Sequence, residues 1–133
     1  MPEITLDHAE SLIARGIAAA RADGLNAVFA VFDTGANLVA FARMDGAWLA
    51  SNELAQAKAR TAVMFQAPTE ALASPIEIGS PAPHFDHIHS PGLLLMGGGV
   101  PLFDKDGALI GGLGASGGTP EQDAALARTC VAA

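Results

Sequence analysis

The stretch Asn26 to Phe32, NAVFAVF, is apolar on both of its alternating faces, and it constrains the fold more than any other segment of the chain. A strand with one face in water alternates apolar and polar residues, whereas a strand that does not alternate must be covered on both sides. The following DTGAN reads as a hairpin turn into a second strand, Leu38 to Met44, paired antiparallel with the first.

The covering layers are also legible. Thr5 is a natural N-cap, and Leu6, Ala9, Leu12, Ile13, Ile17 and Ala20 recur at helical spacing until Gly24 supplies a stop. From Ala50 to Phe65 good helix formers dominate, with Leu54, Ala57, Thr61 and Met64 or Phe65 as the expected inner stripe and a further turn over Thr69 to Ala73. Residues 74 to 91 carry Pro75, Pro81, Pro83 and Pro91, a density that excludes regular helix and marks a long surface segment. Three more strands are expected at Leu93 to Met96, Val100 to Phe103 and Ala108 to Leu113, the last two joined by the turn signal Lys105-Asp106-Gly107. Thr119-Pro-Glu-Gln122 then opens a final helix with a cap, a proline at the first helical position and a capping-box glutamine. Short turns between strands imply an antiparallel sheet, so the expected fold is α+β: one domain over residues 1 to 133, a five-stranded antiparallel sheet flanked by helices.

Composition narrows the function. A formal charge of -7, with only seven Lys and Arg, disfavours nucleic acid and anionic lipid as partners. No apolar run approaches the ~18 residues of a membrane span and no basic-then-apolar leader precedes the first helix, so the chain reads as cytoplasmic. Cys130 is the only cysteine, which forbids an internal disulfide and a multi-cysteine zinc site, and it is expected to be a packed side chain.

Two motifs fail on inspection. Gly112-Leu-Gly114-Ala-Ser-Gly117 matches the dinucleotide fingerprint, but that motif needs a following parallel strand and an acidic residue about 20 positions on. Only 16 residues remain, and Glu121 and Asp123 oppose an anion at the next helix, so no nucleotide is expected. Gly114-Ala-Ser116-Gly-Gly118 fits the nucleophile elbow, yet no histidine follows His89 to complete a triad. These glycines are better read as letting a strand leave the sheet, or letting backbone pack tightly or approach a ligand.

Three features could carry chemistry. Arg43 and Asp45 end the second strand, either as an exposed ion pair or as ligand-binding and catalytic groups. Lys58 borders the apolar stripe of the second helix; it either snorkels or is buried against a carboxylate such as Asp45, and a neutral Lys58 would be a usable base or Schiff-base amine. HFDHIHS, residues 84 to 90, holds three of the four histidines. His84, His87 and His89 could bind a divalent transition metal with Asp86 assisting, one imidazole could ligate haem iron, or the loop could simply be solvated.

VFDTGANLVAFARMDGA (31 to 47), LAQAKARTAV (54 to 63) and LLLMGGGVPLFDKDGALIGGLGASGGTPEQDAALA (93 to 127) together resemble the GlcG/HbpS-type family of small haem-binding-like proteins. The resemblance implies a five-stranded antiparallel sheet flanked by helices, assembled into a homo-oligomer, dimer or higher. It also implies a haem link for some members, including haem degradation or redox sensing, and gene neighbourhoods of glycolate or corrinoid enzymes for others. A haem-associated domain in the corrinoid branch uses a histidine in its first helix, the region where His8 stands in LDHAESLI. Relatives commonly carry a glycine- and aromatic-containing loop in place of residues 74 to 91, so their ligands are not carried onto His84, His87 or His89.

The leading expectation is a small-molecule binding protein for haem or another flat, partly apolar compound. That ligand would sit between the histidine loop and a sheet edge lined by Gly98 and Gly99, with Arg43 or Lys58 taking a carboxylate. The rival is an enzyme acting on a small carbonyl or hydroxy-acid compound, through a metal on the three histidines or acid/base chemistry at Lys58, Asp45 or His87. A structural accessory subunit is the third possibility.

Overall fold

The computed structural model describes residues 3 to 73 and 93 to 132. Helix α1 (Leu6–Ala22) leads to strands β1 (Val28–Phe32) and β2 (Leu38–Arg43), helix α2 (Ala50–Phe65), a single turn α3 (Glu70–Ala73), strands β3 (Gly99–Phe103) and β4 (Leu109–Ser116), and helix α4 (Pro120–Val131). The four strands form one antiparallel sheet in the order β2-β1-β4-β3. All five residues of β1 are buried, because Phe29 and Val31 pack toward α1 and α4 while Val28, Ala30 and Phe32 pack toward α2.

The helix ends follow the local signals. Thr5 accepts from the His8 amide at α1, and at α4 Thr119 and Gln122 form both halves of a capping box behind Pro120. Gly24, at φ +70, ends α1 in the left-handed region.

Among the described residues the sheet has four strands, not five. The expected strand Leu93 to Met96 is absent because these residues run over α2: the Leu94 amide donates to Thr61 Oγ1 at 2.8 Å. The chain turns at Gly98, φ +128, and only then enters β3. Strand β4 is correspondingly longer than expected, since Gly112, Gly114 and Ser116 stay paired with β1 instead of leaving the sheet.

Helix α2 presents a different face from the expected one. Ser51, Ala55, Lys58, Ala59, Ala62 and Val63 are buried together with Thr61, while Leu54 and Ala57 are only partly covered and Met64 and Phe65 are exposed. The cause lies in β4, where a side chain at Gly114 would strike the Ala55 carbonyl and one at Gly112 would meet the Ala59 carbonyl at 2.7 Å. With helix backbone this close to sheet backbone, only small residues fit between them.

Cys130 is buried beside α1, where a side chain on Gly16 would meet its sulfur at 2.6 Å. Burial pushes its thiol up to about 12, against smaller opposing effects of its backbone hydrogen bond and Arg15. Native protein holds this proton after unfolded protein has released it, so the contribution is intact below about pH 8.5 and falls by roughly 1.4 kcal/mol per pH unit above it. Native protein is expected to resist a thiol reagent at pH 8 that titrates one thiol in urea. Equal labelling rates in the two conditions would refute the packed site.

Candidate functional site

Lys58 is the residue around which the segments 54 to 63 and 93 to 127 converge in space. It sits on the inner face of α2 at 1% exposure, where a cation requires a counter-charge. Asp123, in the first turn of α4, supplies it: Lys58 Nζ donates to Asp123 Oδ2 at 2.7 Å and to the Ala115 carbonyl at 3.2 Å. The other oxygen, Asp123 Oδ1, accepts from the amides of Gly117 and Gly118 at 3.0 and 2.8 Å. The amides that resembled a phosphate cradle are thus occupied by the chain's own carboxylate.

This arrangement fixes the meaning of the glycine run. A side chain on Gly98 would meet Lys58 Nζ at 2.9 Å, and one on Gly99 would meet Thr69 Cγ2 at 2.7 Å. The Thr69 hydroxyl accepts from the Gly99 amide at 2.8 Å. Internal packing accounts for both glycines without a ligand. Lys58 is paired with Asp123 rather than Asp45, and neither its exposure nor its hydrogen bonds leave an amine facing an open cleft.

Arg43 and Asp45 line a cleft of about 320 Å³ with Ile17, Arg21, Asn26 and Met44. Both are exposed, and among the described residues the ion pairs are Lys58–Asp123 and Arg128–Glu70, so the expected Arg43–Asp45 pair does not form.

A larger cleft of about 650 Å³ lies along the outer side of α2. Phe32, Leu54, Ala57, Leu93 and Leu94 form its apolar walls, and Glu53, Gln56 and Arg60 supply its polar groups. It exists because the small residues of α2 face the sheet, which turns the larger Leu54 outward. Arg60 is half-buried, and its Nε has no hydrogen-bond partner among the described residues. Such an orphaned guanidinium donor is costly unless something outside the chain meets the group.

His84, His87 and His89, with Asp86, lie outside the described residues. His8 is exposed on α1. Among the described residues no three His, Cys, Asp or Glu side chains gather in a way that could hold a metal ion. Sequence reasoning missed Asp123 as the partner of Lys58 and Arg60 as a site residue. A signal existed for the second, since Arg60 follows Leu54 and Ala57 at successive three-residue steps along one helix face.

A family model described as haem degrading protein, HbpS-like, matches residues 4–132. The chain belongs to the HbpS-like family. Corrinoid adenosyltransferase PduO of Salmonella typhimurium is 42% identical over 91 residues, which are 68% of this chain and 27% of PduO. The chain therefore spans about a quarter of that relative's length. The crystal structure of Klebsiella pneumoniae ORFY superposes with a TM-score of 0.91 at 30% identity, covering 98% of this chain and 90% of ORFY. The structure of a PduOC complex with haem superposes with a TM-score of 0.89 at 31% identity, covering 97% and 93%. Among the described residues of this HbpS-like chain, no helix is long and apolar enough to cross a membrane.

Proposed function

We propose that this HbpS-like protein binds a flat, partly apolar small molecule, with haem as the leading ligand, in the cleft on the outer side of α2. The observation that carries the reading is the cleft itself: about 650 Å³, within the range of small-molecule sites, with apolar walls and one arginine whose Nε has no hydrogen-bond partner among the described residues. Haem fits this donor set in two respects. Phe32, Leu54, Ala57, Leu93 and Leu94 suit an apolar macrocycle, and Arg60 suits its carboxylates. Bound haem would supply redox or ligand-binding chemistry at its iron.

None of the described lining residues is a histidine, cysteine, methionine or tyrosine, the usual axial ligands. Axial ligation is accordingly proposed for His84, His87 or His89, which precede Leu93 and Leu94 in sequence, with His8 on α1 as the competing donor. The enzyme reading draws less support, because Lys58 is engaged with Asp123 and Ala115 inside the protein.

Purified protein titrated with haem is expected to give a saturable Soret shift with one haem per chain. Replacing His84, His87 and His89 together with alanine should change the position of the bound Soret band, whereas His8→Ala should leave it in place. Absence of saturable binding by the wild-type protein would reject haem. An unchanged spectrum in the triple variant would reject the loop histidines as iron ligands.

A further inference from the structure

Arg60 differs from Arg21, Arg43 and Lys58 in what surrounds it. Arg21 and Arg43 stand at a cleft that also contains Asp45, so a carboxylate of the chain already shares their surroundings. Lys58 is neutralised internally by Asp123. Arg60 is half-buried, lies on the wall of the apolar cleft, and among the described residues has no carboxylate partner and no acceptor for its Nε.

Among the described residues the one acidic side chain lining that cleft is Glu53, which precedes Arg60 by seven residues on the same helix. Seven residues of α-helix separate the two positions by roughly 10 Å along the axis. The cleft is therefore polarised, with a cationic end at Arg60, an exposed acidic end at Glu53 and apolar surface between them.

We infer that Arg60 reads a carboxylate on the ligand, so that the cleft selects apolar acids over their neutral esters. This rests on the small-molecule binding reading above and specifies the ligand's chemical class. The guanidinium satisfies a carboxylate with charge-assisted hydrogen bonds that an ester cannot reproduce, and partial burial protects the pair from solvent screening. Phe32, Leu54 and Ala57 take the apolar body, and Glu53 disfavours the reversed orientation by like-charge repulsion.

Calorimetric titration of the full chain with two acid and ester pairs separates this inference from the haem reading: haem against its dimethyl ester, and 2-naphthoate against its methyl ester. The acids are expected to bind wild-type protein at least tenfold more tightly than the esters. Arg60→Gln should bring the acids to the level of the esters, and Arg60→Lys should recover part of the preference through its charge. Circular dichroism melts report whether the variants fold, and the acid-to-ester ratio of the wild-type protein needs no variant. If haem does not bind while 2-naphthoate is favoured through Arg60, the haem reading fails and the carboxylate site stands. Equal binding of acid and ester, a preference that survives Arg60→Gln, or no binding of either acid would overturn the inference.

Discussion

Gly114→Ala is expected to destabilise the protein by about 3 kcal/mol, an unusually large effect for the addition of one methyl group. A Cβ at this position would strike the Ala55 carbonyl and come within 2.7 Å of the Ala59 amide nitrogen. Both obstacles are helix backbone, so no side-chain rotation relieves the clash. The helix must instead lift off the sheet, separating Ala55, Ala59 and Val63 from Val28, Ala30 and Phe32. Gly24→Ala is the matched control. It also places a methyl group on a glycine, but at φ +70 with nothing within 4 Å, and should cost only about 1 kcal/mol through left-handed strain. Urea unfolding followed by circular dichroism measures both. Equal losses in the two variants would show that close helix-to-sheet contact at Gly114 does not carry the stability assigned to it.

The same contact explains where the sequence was misleading. NAVFAVF specified a doubly covered strand because its pattern is local and complete, and the final helix announced itself through Thr119, Pro120 and Gln122. The facing of α2 was not a local property. Leu54 and Ala57 follow the inner-stripe pattern better than Ser51 and Ala55 do, yet the glycines of β4, more than forty residues later in the chain, leave room only for small side chains. A hydrophobic pattern ranks how much each face gains by burial, but it does not state how close the partner surface will come. Leu93 to Met96 misled in a similar way. Four apolar residues read as a strand until the Leu94 amide found its acceptor on Thr61 instead of on a neighbouring strand.

The candidate site was less legible for a related reason. Lys58 has Leu54 and Ala62 at four-residue steps and Ala55 and Thr61 at three-residue steps, so no carboxylate on its own helix could be its partner. A buried Lys58 consequently required a distant acid, and only the docking of α4 selects Asp123 over Asp45. Arg60 was passed over because arginine on an outward helix face is ordinarily solvated. Its significance appears only when Phe32 from β1 and the adjacent Leu93 and Leu94, from two distant parts of the chain, close an apolar wall beside it.

Removing either member of the Lys58–Asp123 pair is expected to cost about 3–5 kcal/mol, because the remaining group stays buried without its counter-charge. The two losses should be unequal. Lys58→Met leaves the Asp123 carboxylate with two backbone donors, the amides of Gly117 and Gly118, in the first turn of α4 where negative charge is favoured. Asp123→Asn keeps an acceptor for those amides but faces Lys58 with at most a neutral group, and among the described residues the other acceptor of Lys58 Nζ is the Ala115 carbonyl. Asp123→Asn should therefore be the more damaging of the two. In the double variant no uncompensated charge remains, so its loss should fall about 2–3 kcal/mol short of the sum of the single losses. Urea midpoints for the four proteins give this coupling directly. Additive losses would mean that the 2.7 Å pair is not what couples α2 to α4, and the tight packing of Gly98 over Lys58 would then have to hold that junction by itself.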